Sequence, residues 1–347
     1  MSLSHTDCVL LLGGVGVASL TLYAVMGGAD YGGGFWDLLA TGPRKDEQRK
    51  TIEKAIGPIW EANHVWLILI VVLLFSCFPR AFYTASIALH IPLTLLLFGI
   101  VLRGSAFTFR TYDSEKDEVQ KRWGRIFAIS STITPVMLGT IVGAISGGHI
   151  ITKGDFFSVY LSPWLRPFPI AVGFFALMLF AYLAAVYLTA DTKEPLLQND
   201  FRMRAYITQA ITAALALTVY LLAREGAPDL WHDMHIMSPI YVGTFIAAVA
   251  TVVFLATRRF TIARFCAAAQ VAFILWGWAL AQYPYIIRPS QTIFNSASHI
   301  ATLELVLMAL AAGGLLLFPS FFFLYHVFKI KRTTSSMPGD KLKEQQS

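Results

Sequence analysis

Three carboxylates, one histidine and one arginine fall where an apolar run should not hold them. Asp30 stands in "MGGADYGGGFWD", residues 26–37, among five glycines, in a stretch with no Lys or Arg from the N-terminus to Arg44. Glu61 and His64 open the run "IGPIWEANHVWLI", three residues apart and so on one face of a helix, with Trp60 and Asn63 beside them. Arg103 closes another run in "VLRGSAFTFR", with Arg110 beyond it, and Glu304 sits about one turn inside the last run. An acid in hydrocarbon is costly, so each carboxylate is first a candidate for function. Buried carboxylates hold their proton to higher pH and histidine titrates near neutrality, so Asp30, Glu61 and His64 suit a proton path. The same groups suit a hydrogen-bonded clasp between two helices, and spacing leaves both readings open. Arg103 has the depth of a counter-charge for Asp30 or Glu61. Asp37, at the inner end of the first run, reads as a solvated carboxylate.

Membrane helices are the elements that must position these groups. The chain is 56% hydrophobic and 14% charged, against a charged fraction of about a quarter in soluble domains. Nine apolar runs, near 8–29, 58–78, 81–102, 126–147, 167–190, 205–223, 239–257, 262–282 and 302–328, reach the roughly 20 residues that cross a bilayer. They are continuously apolar, whereas barrel strands alternate over about ten residues. The expected fold is all-α: a polytopic integral membrane protein of about nine transmembrane helices. Segments 40–57, 103–125, 191–204, 258–264 and 329–347 hold 22 of the 27 Lys and Arg, and the opposite side holds Arg80, Lys153, Arg166, Arg224 and Arg288. That bias predicts an N-terminus outside and a C-terminus in the cytoplasm. The net charge of +6 then reflects topology and attraction to the lipid bilayer, not a nucleic-acid partner. The first helix runs inward and the second outward, which brings Asp30 and Glu61 to the cytoplasmic half of a helical hairpin.

Residues 1–328 read as a single transmembrane domain, and 329–347 as a polar, disordered cytoplasmic tail. Ala29-Asp30 ends the first run and Ala190-Asp191 the fifth, 161 residues later. The echo suggests a parallel duplication, 1–150 and 160–282, giving two four-helix units and one extra helix. The start "MSLSHTD" lacks the positive charge of a signal peptide, so the first run is expected to be retained. Cys8, Cys77 and Cys266 are scattered and form no CxxC, which argues against a zinc site. Gly27, Gly28, Gly32, Gly33 and Gly34 either let another backbone come close or break the helix, and packing is the favoured role. Of the histidines only His90, in "ASIALHIPLTLLLFG", reads as deep, and a lone deep histidine is expected to be hydrogen-bonded core. No metal is assigned to this chain.

Together, "GGADYGGGFWDLL", the basic hairpin, "IGPIWEANHVWLI", "CFPRAF", "LRGSAFTFR" and "QYPYIIRPS" resemble subunit II of the cytochrome bd-type quinol oxidases, the cyanide-insensitive branch included. The resemblance implies a bacterial inner-membrane terminal oxidase that passes electrons from quinol to oxygen and draws protons from the cytoplasm. It implies a haem-bearing partner, subunit I, holding b- and d-type or only b-type haems, with this chain as the haem-free, non-catalytic partner. Some members of the family hold a structural quinone in this subunit, and a small accessory subunit is a further expected partner. The family's proton-path acids fall on Asp30 and Glu61. Many members carry another acid just before the Asp30 position, where this chain has glycine, and Asp in place of Glu61. Without the resemblance, a proton-coupled secondary transporter explains the intramembrane acids equally well.

Overall fold

The structure, a computed structural model, describes residues 3–56, 60–112, 117–234 and 238–334. The side chains of 60–62, 110–112, 117, 118, 120, 238, 318, 321, 322 and 324–334 lie outside that description. The first helix is one rod in three parts: α1 (His5–Leu22), a π-helical turn (Tyr23–Gly27) and α2 (Gly28–Leu38). Ser4 caps it, accepting from the Asp7 amide at 3.1 Å while Asp7 accepts from the Ser4 amide at 3.2 Å. This reciprocal box satisfies two of the end amides that the first turn leaves unpaired. The glycines do not break the rod, which ends at Leu38.

The segment 40–57 is not the simple loop its charge suggests. It holds α3 (Lys45–Ile56), which turns Gln48, Ile52 and Ile56, spaced by four, toward the bundle and its charges outward. The chain then enters α4 (Trp60–Cys77) and turns by 114° into α5 (Pro79–Ala88). The expected span 81–102 is therefore displaced, because helix breaks at Leu89 and restarts as α6 (His90–Tyr112). Pro92 explains the break, since its ring would meet the Ala88 carbonyl of a continuous helix and it has no amide to donate. His90 is consequently an exposed residue at a helix start, bonded through Nδ1 to the Ile87 carbonyl at 3.0 Å, and not the deep residue its run suggested.

The remaining helices are α7 (Asp117–Ser146), the short α8 (Phe156–Tyr160), α9 (Pro167–Asp191), α10 (Pro195–Gly226), the short α11 (Pro228–Met234), α12 (Ser238–Ala256), α13 (Phe260–Gln282) and α14 (Ile300–Thr334). Prolines open α5, α9 and α10 at the first helical position, where a missing amide costs nothing. Among the described residues eight helices are long and apolar enough to cross a membrane, nine if α4 and α5 count as one bent span. The chain is thus an all-α polytopic membrane protein. A two-stranded hairpin, β1 (Tyr285–Ile287) with β2 (Gln291–Thr292), folds the polar connection before α14.

The core is built on α9, which is buried without interruption from Leu179 to Val186 and packs against α2, α7, α10 and α13. The helix pairings come in matched sets. α6 lies on α7 as α12 lies on α13, α9 on α10 as α1 on α4, α2 on α7 as α9 on α13, and α7 on α9 as α13 on α1. α14 stands at the side, against α1 and α4.

α2 comes into close backbone contact with α9. A Cβ on Gly28 would stand 2.6 Å from Phe180 Cδ1, and one on Gly32 would overlap the Phe180 carbonyl. The glycines therefore serve packing, against helices of this same chain. A Cβ at Gly13 meets nothing within 4 Å. Gly32→Ala should then destabilise the purified protein by about 3 kcal/mol, while Gly13→Ala stays within about 1 kcal/mol of the parent, both read from the thermal unfolding midpoint in detergent.

Candidate functional site

The rod's π-helical turn does the first positioning. The Gly28 amide bonds back five residues to the Tyr23 carbonyl, so the turn holds one residue more than an α-helical turn. Tyr23 and Tyr31, eight apart, would diverge by about 80° on a regular helix; with one residue absorbed they lie about 20° apart. Their hydroxyls meet at 2.9 Å, with Tyr23 wholly buried and Tyr31 nearly so. The turn also displaces carbonyls from their usual partners, and Val25 accepts instead from the Tyr187 hydroxyl of α9 at 3.3 Å.

Asp30 follows on α2, half-buried, and its Oδ2 accepts from Asn63 Nδ2 of α4 at 2.7 Å. A hydrogen bond to a carboxylate at this length is among the stronger ones, worth about 1.5–3 kcal/mol. His64, next in the chain to Asn63, puts its imidazole 6.1 Å from the Tyr23 ring and 6.2 Å from that of Tyr31. Arg103 of α6 is the largest fully buried side chain described, and its guanidinium lies 4.6 Å from the Tyr31 ring centroid and 5.5 Å from that of Phe127. A desolvated cation on an aromatic face gains about 2 kcal/mol, which offsets part of the cost of removing it from water. Its charge acts on Asp30, Tyr23, Tyr31 and His64 alike.

Of the residues singled out in the sequence, the structure brings Asp30, His64 and Arg103 into one cluster on three helices. The Glu61 side chain lies outside the described residues. Glu304 is half-buried at the other end of the bundle: Ser298, just before α14, donates its amide to the Cys77 carbonyl at 2.8 Å, and Cys77 ends α4 roughly 21 Å from Asn63. Asp37, read as solvated, is only 3% exposed and has Arg49 of α3 at 3.8 Å. Its burial follows from α3 folding back under the end of α2. Sequence reading missed the tyrosine pair, because a period of 3.6 puts its members on different faces, and it gave Asn63 no role.

His5 bonds to the Ser298 carbonyl at 3.1 Å, His90 to that of Ile87, and His64 is packed between two tyrosine rings. No group of three or more His, Cys, Asp or Glu gathers among the described residues.

Fold and cluster together define a multi-pass membrane protein with a buried charged centre shared by its first, second and third spans. The family model "Cytochrome bd terminal oxidase subunit II" matches residues 9–328, and the chain belongs to that family. It is 26% identical over 322 residues to the Bacillus subtilis "Putative cytochrome bd menaquinol oxidase subunit II", covering 88% of this chain and 91% of the relative. To the Escherichia coli K12 "Cytochrome bd-I ubiquinol oxidase subunit 2" it is 24% identical over 205 residues, 58% of this chain and 52% of the relative. The structure of bd oxidase from Geobacillus thermodenitrificans shares the fold, with a TM-score of 0.78 and 23% identity over 92% of this chain and 98% of that one.

The paired hydroxyls give a direct test of the cluster. Tyr31→Phe alone should cost about 1–3 kcal/mol, because it leaves the buried Tyr23 hydroxyl without its partner, whereas Tyr23→Phe with Tyr31→Phe should cost less than the sum of the two single changes. Thermal unfolding of the four proteins of this cycle measures the coupling.

Proposed function

We propose that this chain is the haem-free second subunit of a bd-type terminal quinol oxidase in a bacterial cytoplasmic membrane. It braces a haem-bearing subunit I and takes up protons from the cytoplasm through Asp30, with Glu61 and His64 on the same path and Arg103 as counter-charge. The observation that carries the reading is the Asp30–Asn63 hydrogen bond beside a buried guanidinium: an acid held in place on one oxygen, Oδ2, with Oδ1 left to bind and release a proton. Asn63 donates and cannot take the proton from Asp30, so it orients the carboxyl without competing for its charge. Arg103 stabilises the ionised carboxylate in a low-dielectric site, and its guanidinium rests on the Tyr31 ring. The haems of the partner supply the electron transfer to oxygen.

Orientation follows from the distribution of Lys and Arg, which favours the side of α3 as cytoplasmic. The reading of two four-helix units plus α14 is supported by the matched pairings, in which exchanging the first four spans for the next four, in order, turns one contact into another.

In the assembled oxidase, Asp30→Asn should lower quinol-driven oxygen consumption by roughly tenfold or more while the haem spectrum is unchanged. Full turnover by that variant, with the complex intact, would remove Asp30 from the proton path.

A further inference from the structure

Away from the Asp30 cluster, a cavity of about 260 Å³ opens where the end of α2, the start of α3 and the second turn of α10 meet. Thr41, Arg44, Gln48, Asp200, Met203 and Arg204 line it with Pro43. Its charges do not cancel. Asp200 is taken up by Arg44, which donates from Nε at 2.9 Å and from Nη2 at 2.7 Å, and by Gln48 Nε2 at 3.3 Å. Arg204 is instead held by a neutral partner, donating from Nη2 to Gln48 Oε1 at 2.7 Å, while its guanidinium lies 4.9 Å from the Trp36 ring centroid. Trp36 is itself fixed, with Nε1 donating to the Ala181 carbonyl at 2.8 Å. Two guanidiniums against one carboxylate leave a single positive charge in the cavity wall. Glu47 and Glu194 act on Arg44 from outside, but both are exposed and neither lines the cavity.

The cavity also has an apolar side. Leu38 and Leu39 are exposed at the end of α2, and Leu196, Met203 and Ile207 form an exposed stripe on one face of α10, spaced by seven and four. A small cationic cavity with guanidinium and hydroxyl donors, continuous with an apolar helix face at the end of a membrane span, matches the two parts of one ligand. We propose that this cavity binds a phosphate-bearing anion, presented as the head group of an anionic phospholipid whose acyl chains lie on the Leu196–Met203–Ile207 stripe. Arg44 and Arg204 face the phosphate, and Trp36 and Gln48 hold Arg204 in place.

The test uses the purified complex in detergent and native mass spectrometry of retained lipid. Phosphatidylglycerol should be retained about fivefold better than phosphatidylcholine, the preference one cation near a membrane surface confers. Met203 is 54% exposed, so changing it should leave the fold intact. Met203→Glu should abolish the preference and Met203→Gln should keep it. Equal retention of the two lipids, or an unchanged preference in Met203→Glu, would overturn the proposal. Inorganic phosphate that displaces the bound phosphatidylglycerol would place a soluble anion there and overturn the lipid assignment. Loss of the haem-bearing subunit in Met203→Glu would identify the surface as a protein interface and overturn it as well.

Discussion

Because Gly28 and Gly32 carry no side chain, α2 rests directly on α9 at Phe180 and Ala184, and the other helices take their places from that pair. With α9 buried from Leu179 to Val186, its neighbours α7, α10 and α13 pack around it, and α7 closes on α2 as well. In lipid there is no hydrophobic drive to bring helices together, so close backbone contact is a main source of association. Trp36, one turn below Gly32, uses the same proximity to reach the Ala181 carbonyl. The contact therefore fixes both the depth and the rotation of α2, and with them the direction in which Asp30 points.

A buried arginine in such a bundle needs several compensations at once. Tyr31 and Phe127 give it aromatic faces, and the negative charge of Asp30 lies within its field. None of the three would suffice alone against the desolvation of a guanidinium. The cluster is thus interdependent: α6 contributes the cation, α2 the acid and the ring, α4 the amide and the imidazole. Such a centre is also a clasp across three spans, and of the two readings that spacing left open for these residues, the clasp does not exclude the proton path proposed above.

Much of this was visible in the residues themselves. Continuous apolar runs gave the span count, with α4 and α5 taken as one bent span. The grouping of an acid near residue 30 with His64 followed from the hairpin alone. Other features were hidden for definite reasons. Pro92 signals the break before α6, but the apolar composition on both sides of it masks the signal. α3 has only Ile52, Ile56 and Gln48 to mark its inner face among many charges, so its sequence reads as a loop, and with α3 unseen the burial of Asp37 is unseen too. Met203 and Leu196 carry no pattern in the sequence that separates a lipid-facing stripe from ordinary span surface.

The π-helical turn at Tyr23–Gly27 makes the chemistry of the first helix a matter of residue count as much as residue type. Each residue of an α-helix turns the chain by about 100°, so winding Tyr23–Gly27 as a regular helix with all its residues kept would swing one side of the rod relative to the other by that angle. With α2 locked on α9, it is α1 that would rotate, carrying Tyr23 off Tyr31 while every side chain in the rod kept its identity. Between relatives, then, a one-residue gap inside this turn, with a regular helix in its place, keeps both sides of the rod facing as they do here, whereas the same gap elsewhere in the rod turns one side by about 100°.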